Sequence, residues 1–236
     1  LVKKKLDILL EDEDFIAVDK PSGLLSIADR AQNESLKSLL DQVYGTVYIV
    51  HRLDKDTSGV ILFAKNKEAH QYLCQQFENR QVEKYYVAVV TGSPAEDEGL
   101  IDASLAEHPA QKGVMQVHRN GKPSQTGYRI LEKNNHFSLV EFQLFTGRMH
   151  QIRVHARHAG FPVAVDELYG DGNPVFLSKY KRNYKLSRAE ETERPIINRL
   201  ALHAARIVFT NRRGESVTVT SQTPKPFLAL MKQLKK

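Results

Sequence analysis

The sequence predicts an α+β fold, a mixed and largely antiparallel β-sheet with flanking helices. Three observations predict it. Short β-prone runs meet across tight polar turns, as the strands of hairpins do. Helical spacings fall between them at irregular intervals, not once after every strand as repeated βαβ units would require. No internal repeat or low-complexity linker divides the chain, so a single domain over residues 1–236 is expected.

Taken in order, Leu6-Asp7-Ile8-Leu9-Leu10 and Phe15-Ile16-Ala17-Val18 are short β-prone runs separated by an acidic turn, Glu11 to Asp14. Lys20-Pro21-Ser22-Gly23 is a breaker cluster that ends the second strand. From Ser35 to Tyr44, Leu36, Leu39, Leu40 and Val43 recur at helical spacing. Val60 to Ala64 is a continuous apolar run, which reads as a buried strand. Asn66 is placed to cap a helix from Lys67 to about Asn79, with Ala69, Tyr72, Leu73, Gln76 and Phe77 on one face. Lys84 to Thr91 is a strand closed by Gly92, and Ser93 to Gly99 reads only as a polar turn. Arg129–Lys133 and Phe137–Phe145 form a hairpin across Asn134-Asn135. Gln151 to Ala159 is a short helix, entered from Gly147 and closed by Gly160-Phe161-Pro162. Arg206–Thr210 and Ser216–Thr220 make a second hairpin across Arg213-Gly214, and a last helix follows Pro226 with Phe227, Leu230, Met231 and Leu234 on its apolar side.

Bulk properties narrow the function classes. A chain of 236 residues buries a core without disulfides or metal clips. Its single cysteine, Cys74, excludes an intramolecular disulfide and suits a reducing compartment. No stretch approaches the ~20 apolar residues of a membrane span, and no signal peptide is visible. Leu1 is not an initiator methionine, so a segment upstream is expected. The net charge of +6 is concentrated between Gln111 and Gly160, where eight Lys/Arg face two acids. A second cluster, Lys179-Tyr180-Lys181-Arg182-Asn183-Tyr184-Lys185, interleaves cations with aromatics. Cations displace counterions from phosphates and aromatic faces stack on bases. A solvated basic surface explains the same composition.

Three segments carry the chemistry. His51-Arg52-Leu53-Asp54-Lys55-Asp56-Thr57-Ser58-Gly59 packs polar residues directly before a buried strand. Asp56, Thr57 and Ser58 can bond their own backbone in a tight turn, and Gly59 can take an unusual φ. Such a turn would hold Asp54 rigidly at the mouth of a sheet; a capped turn with a surface carboxylate is the plainer reading. Thr146-Gly147-Arg148-Met149-His150-Gln151-Ile152-Arg153-Val154-His155 brackets a helix start with two arginines, able to bind phosphate or to keep a carboxylate ionised, or simply to form a basic helix face. In Glu83 to Gly92, Tyr86 alternates with Ala88 and Val90 and Tyr85 with Val87 and Val89, so one of the two can be a core tyrosine with its hydroxyl at an edge.

Together these segments resemble the RluA-type family of RNA pseudouridine synthases. His51–Gly59 matches that family's signature loop nearly residue for residue. Val18-Asp19-Lys20-Pro21-Ser22-Gly23-Leu24, Lys84–Gly92, Gly147–His155 and Leu202-His203-Ala204 resemble its other motifs in chain order, and the likeness runs from about Phe15 to Thr220. The resemblance implies the pseudouridine synthase catalytic fold, one catalytic domain with no separate RNA-binding domain inside this chain, and isomerisation of uridine to pseudouridine in ribosomal or transfer RNA. It implies Asp54 as the catalytic carboxylate, Tyr86 as the active-site tyrosine and Arg153 as partner of the aspartate. Arg52 resembles the residue that fills the gap left by the flipped uridine, Lys20 and Arg148 are expected at phosphates, and His51 and His150 at the RNA. No cofactor and no metal are expected, nor a membrane partner; a cytoplasmic monomer is. One departure stands out: the family reads Gly-Asp before the Tyr-Gly of its next loop, where this chain has Val165-Asp166 before Tyr169-Gly170, and the bulkier residue is expected to shift that loop.

Two other functions compete. A metal-dependent hydrolase could draw on His150, His155, His158, His203 and Asp166. However, His150 and His155 miss the i,i+4 spacing that puts two ligands on one helix face, although His155 and His158 fit i,i+3. A non-catalytic RNA-binding module accounts for the basic patches but gives no reason for the Asp54 loop.

Overall fold

The structure, a computed structural model, describes residues 6–186 and 191–235. In chain order the elements are β1 (Ile8–Glu11), β2 (Phe15–Lys20), α1 (Leu36–Tyr44), β3 (Tyr48–Ile49), β4 (Ser58–Ala64), α2 (Lys67–Glu78), β5 (Glu83–Thr91), β6 (Glu98–Asp102), β7 (Leu105–Glu107), β8 (Met115–Val117), β9 (Gln125–Lys133), β10 (Phe137–Leu144), α3 (Gln151–His158), β11 (Leu202–Thr210), β12 (Ser216–Thr220) and α4 (Lys225–Leu234). The chain divides into two compact units, Leu1–Tyr85 with His203–Gln222, and Tyr86–Leu202 with Thr223–Lys236. The fold class is α+β with mixed, mostly antiparallel pairing, as the sequence predicts.

In the first unit, β2 pairs antiparallel with both β1 and β4, and β11 pairs antiparallel with β12. β4 and β11 pair parallel: His203 and Ala204 of β11 lie opposite Ser58 and Gly59 of β4. Every residue of β4 is buried, which is why it reads as an unbroken apolar run. Phe15, Leu62, Leu73, Ile207, Phe209 and Val219 form the core against which α2 lays its apolar face. The Asn66 cap holds as read, and the structure adds one at Ser35. Asn66 accepts the Ala69 N–H at 2.8 Å, and Ser35 forms a capping box with Ser38 that starts α1.

In the second unit, β10 and β9 form the expected hairpin, with a register shift at Leu139/Val140, and β6 adds antiparallel to β9. β6 begins at Glu98, inside the stretch expected to be only a turn. Pairing with β9 fixes it there; its own sequence, with Gly99 in the second position, carries little strand preference. β7 and β8 form a separate two-stranded ribbon. Helix α3 is buried along most of its length, from Gln151 to Ala156. Among the described residues no helix is long and apolar enough to cross a membrane.

Candidate active site

Asp54 is half-buried in the loop that leads into β4. Lys20 stands opposite Gly59 in the β2–β4 register, so the segment leaving β2 runs beside this loop. The Lys20 side chain is fully buried, and its ammonium donates to the carbonyls of Pro21 (3.0 Å), Leu24 (2.7 Å) and Lys55 (2.9 Å). The Gly23 N–H donates to the same Lys55 carbonyl at 2.9 Å, and the Ser22 hydroxyl donates to Asp56 O at 2.7 Å. Ser26 Oγ donates to Leu53 O at 2.7 Å and accepts the Leu53 N–H at 3.1 Å. The main chain on both sides of Asp54, at Leu53, Lys55 and Asp56, is thereby tied to residues 20–26. Within the loop, the Thr57 N–H closes back on Asp54 O at 3.2 Å.

The far end of the loop is held by close packing. Gly59 has φ +111, and a Cβ built on it would overlap the Ala204 carbonyl oxygen and lie 2.6 Å from the Ala204 nitrogen. Only glycine lets β11 come this near β4. The Ser58 hydroxyl reaches His203 Nδ1 at 2.9 Å. At the near end, His51 Nε2 accepts the Leu62 N–H at 3.0 Å, and the ring stacks on Phe77 with centroids 4.8 Å apart. Burial, with the charge of Lys84 adding to it, lowers the His51 pKa to about 3.

The second unit holds Tyr86 and Arg153. Tyr86 is buried on β5, at 9% exposure, whereas Tyr85 lies in the first unit beneath the Arg206 guanidinium, 3.8 Å from ring centroid to Cζ. The turn into α3 is knotted by Gln151. Its Oε1 accepts from the Thr146 hydroxyl (2.8 Å) and the Arg148 N–H (3.0 Å), while its Nε2 donates to Gln125 O and Thr126 Oγ1. His150, at φ 55, makes the turn that starts the helix. Two residues into α3, Arg153 is buried and donates in a fork to Asp166, Nε to Oδ2 and Nη2 to Oδ1, both at 2.7 Å. The Tyr169 ring lies against the guanidinium at 5.0 Å, and the Tyr169 hydroxyl accepts the Met115 N–H and bonds His150 Nδ1, both at 2.8 Å. Sequence reasoning offers Asp166 as a metal ligand in the hydrolase reading and as the acid of the loop before Tyr169-Gly170, and does not assign it to Arg153. The signal was the acid in the Val165-Asp166 departure.

Two expectations need correction. Lys20 was expected at a phosphate, but its ammonium is buried and fully occupied by main-chain carbonyls, so it fastens the Asp54 loop instead. His51 was expected at the RNA, yet with a pKa near 3 its ring is neutral at pH 7 and its Nε2 is committed to the main chain of β4. Two of the hydrolase's candidate ligands are engaged elsewhere. His155 bonds Thr126 Oγ1 and Ala103 O through its two ring nitrogens, and both Asp166 oxygens face Arg153. Among the described residues no group of three or more His, Cys, Asp or Glu is placed to hold a metal ion.

The family model described as RNA pseudouridylate synthase matches residues 14–158, a span that contains the Asp54 loop, Tyr86 and Arg153. The chain belongs to the RNA pseudouridylate synthase family. Among its relatives, an RNA pseudouridine synthase of Bacillus subtilis named YlyB is 36% identical over 98% of this chain and 73% of its own length. Ribosomal large subunit pseudouridine synthase D of Nitrosomonas europaea is 36% identical over 98% of this chain and 65% of its own. The dual-specificity RNA pseudouridine synthase RluA of Vibrio vulnificus is 36% identical over 86% of this chain and 77% of its own. Two solved human structures share the fold. RNA Pseudouridylate Synthase Domain Containing 1 gives a TM-score of 0.75 at 26% identity over 98% of this chain and 88% of that one. RNA Pseudouridylate Synthase Domain Containing 4 gives 0.74 at 26% over 97% and 93%. This pseudouridylate synthase is therefore an isomerase that acts on RNA.

Proposed function

We propose that this enzyme isomerises specific uridines of structured ribosomal or transfer RNA to pseudouridine, with Asp54 as the catalytic carboxylate and Tyr86 and Arg153 as its partners. The observation that carries the assignment is the fastening of the main chain around Asp54 by Lys20, Ser22, Gly23 and Ser26. A surface turn with an incidental carboxylate needs no such clamp. The names of relatives that act on ribosomal large subunit RNA, and of a dual-specificity relative, support the substrate class and a cytoplasmic enzyme.

The reaction breaks N1–C1′, turns the detached uracil, and joins C5 to C1′, with C5 losing a hydrogen as N1 gains one. Atoms and electrons balance within the nucleotide, so the chemistry calls for no redox cofactor. An ionised carboxylate can attack the sugar or the base, remove a sugar proton, or stabilise positive charge at C1′, and each route needs it charged and aimed. A nearby guanidinium favours that charged form. Tyr86 stacks on the base and moves a proton at C5. The target uridine leaves its stack to reach Asp54, and the exposed Arg52 takes its place. Arg148 is the phosphate contact. Its buried Nε meets no acceptor among the described residues, a donor that a phosphate oxygen would satisfy.

The test uses ribosomal or transfer RNA tritiated at uridine C5. The wild-type enzyme is expected to release one tritium to water per pseudouridine formed. Tyr86→Phe, which keeps the stacking face, is expected to release it slowly at saturating RNA with binding little changed. No release by folded protein that binds the RNA would sink the reaction class, and normal release by Tyr86→Phe would restrict Tyr86 to stacking.

A further inference from the structure

The backbone at Val165 is strained. A β-branched residue at φ 57 is a rare outlier, because its side chain crowds its own carbonyl in the left-handed region. The residues before it are pinned. The Ala164 N–H donates to Val89 O at 2.9 Å, the Ala201 N–H donates to Ala164 O at 3.0 Å, and Val163 bridges Val90. From this fixed segment the turn at Val165 delivers Asp166 directly to Arg153.

Asp166 arrives with no freedom left. Besides the Arg153 fork, its Oδ1 accepts the Leu168 and Tyr169 N–H groups, each at 3.0 Å, and its main-chain carbonyl accepts the Gly170 N–H at 2.9 Å. Arg157, one turn along α3, donates to Tyr169 O at 3.0 Å and ties the loop to the helix a second time. Stability explains this construction poorly. The cost of drying two charges largely offsets the attraction of a buried ion pair, and the strained residue adds a further penalty. A construction that costs stability is explained by what it holds in place.

We propose that Asp166 is a positioning residue for the isomerisation: with the turn at Val165 it grips Arg153 by its Nε–Nη2 edge and so aims the remaining edge of the guanidinium at the reacting groups. This rests on Arg153 acting in the reaction. The Tyr169 ring covers one face of the same guanidinium and blocks its rotation.

The experiment measures kcat and KM for tritium release, with thermal melts to normalise to folded protein. Asp166→Asn keeps the shape but sets an amide donor against the Arg153 fork. It is expected to lower kcat about a hundredfold, as for a reacting group misplaced by an ångström, with KM within about twofold. Asp166→Glu retains the charge, so it guards against a variant that fails to fold, and moves the carboxylate by one methylene. It is expected to lower kcat by about tenfold, again without a KM change. In an Arg153→Lys background, where no fork is possible, Asp166→Asn should add little. Folded Asp166→Asn or Asp166→Glu with wild-type kcat would overturn the proposal, as would an undiminished further loss in the Arg153→Lys background. Arg153→Ala separates the two layers. If it turns over normally, the reading of Arg153 fails. If it is inactive while the Asp166 variants are normal, only the positioning role fails.

Discussion

Around Asp54 the structure works through the main chain: the hydroxyls of Ser22 and Ser26, the Gly23 N–H and the buried Lys20 ammonium hold its peptide groups, and a glycine lets β11 close on β4. Around Arg153 it works through charge and strain: a forked ion pair, an aromatic face and Val165 in the left-handed region. The difference teaches how each kind of group is held for chemistry. Under the proposed roles, a carboxylate that is to react is fixed through its main chain. A guanidinium has donors to spare, so one edge can be gripped while another is presented.

The sharpest way to break this comparison is at Gly59. Gly59→Ala combines a positive φ with overlap on the Ala204 backbone and is expected to destabilise the protein by about 3 kcal/mol or more. Gly23→Ala is the control. Its φ is +84 but nothing lies within 4 Å of the place a Cβ would take, so about 1 kcal/mol is expected. Chemical denaturation of both variants tests it; equal small losses would mean that the β4–β11 approach is not what holds the loop.

A smaller effect tests whether a neutral histidine holds the near end of the Asp54 loop. The folded pKa of His51, about 3, lies below its ordinary 6.5, so the unfolded chain binds more protons between these values. Stability contributed by neutral His51 is therefore complete above about pH 6.5 and is lost as pH falls toward 3, reaching about 2 kcal/mol by pH 5. Burial lowers the His155 pKa as well, so the readout is the difference between wild type and His51→Gln. Wild type should lose more stability than His51→Gln between pH 7 and pH 5. Identical slopes would show that His51 is not held neutral.

The same contrast explains what was legible in the sequence. The Asp54 loop could be read because its motif is contiguous and its turn chemistry is local, and the helix start at Asn66 could be read because a cap is local too. The parallel β4–β11 pairing could not, since Ser58 meets His203 across 145 residues and nothing near either residue announces it. β6, β7 and β8 are short and owe their shape to the strands they pair with. Lys20 misled for a related reason: beside Pro21 and Gly23 a lysine reads as exposed, and only the folded loop turns three carbonyls inward to bury it. The Val165-Asp166 departure was visible as a difference from the family pattern. Its meaning, strain that delivers a partner to Arg153, required the backbone.

The central claim is that Asp54 performs the chemistry while its loop serves to hold it. The most direct measurement sets pseudouridine formation by Asp54→Asn beside its RNA-binding isotherm and thermal melt. The amide keeps the size and shape of the side chain and removes its charge and nucleophilicity. Turnover is expected to vanish while affinity and melting temperature stay near wild type; turnover near the wild-type rate in the folded variant would contradict the assignment of Asp54.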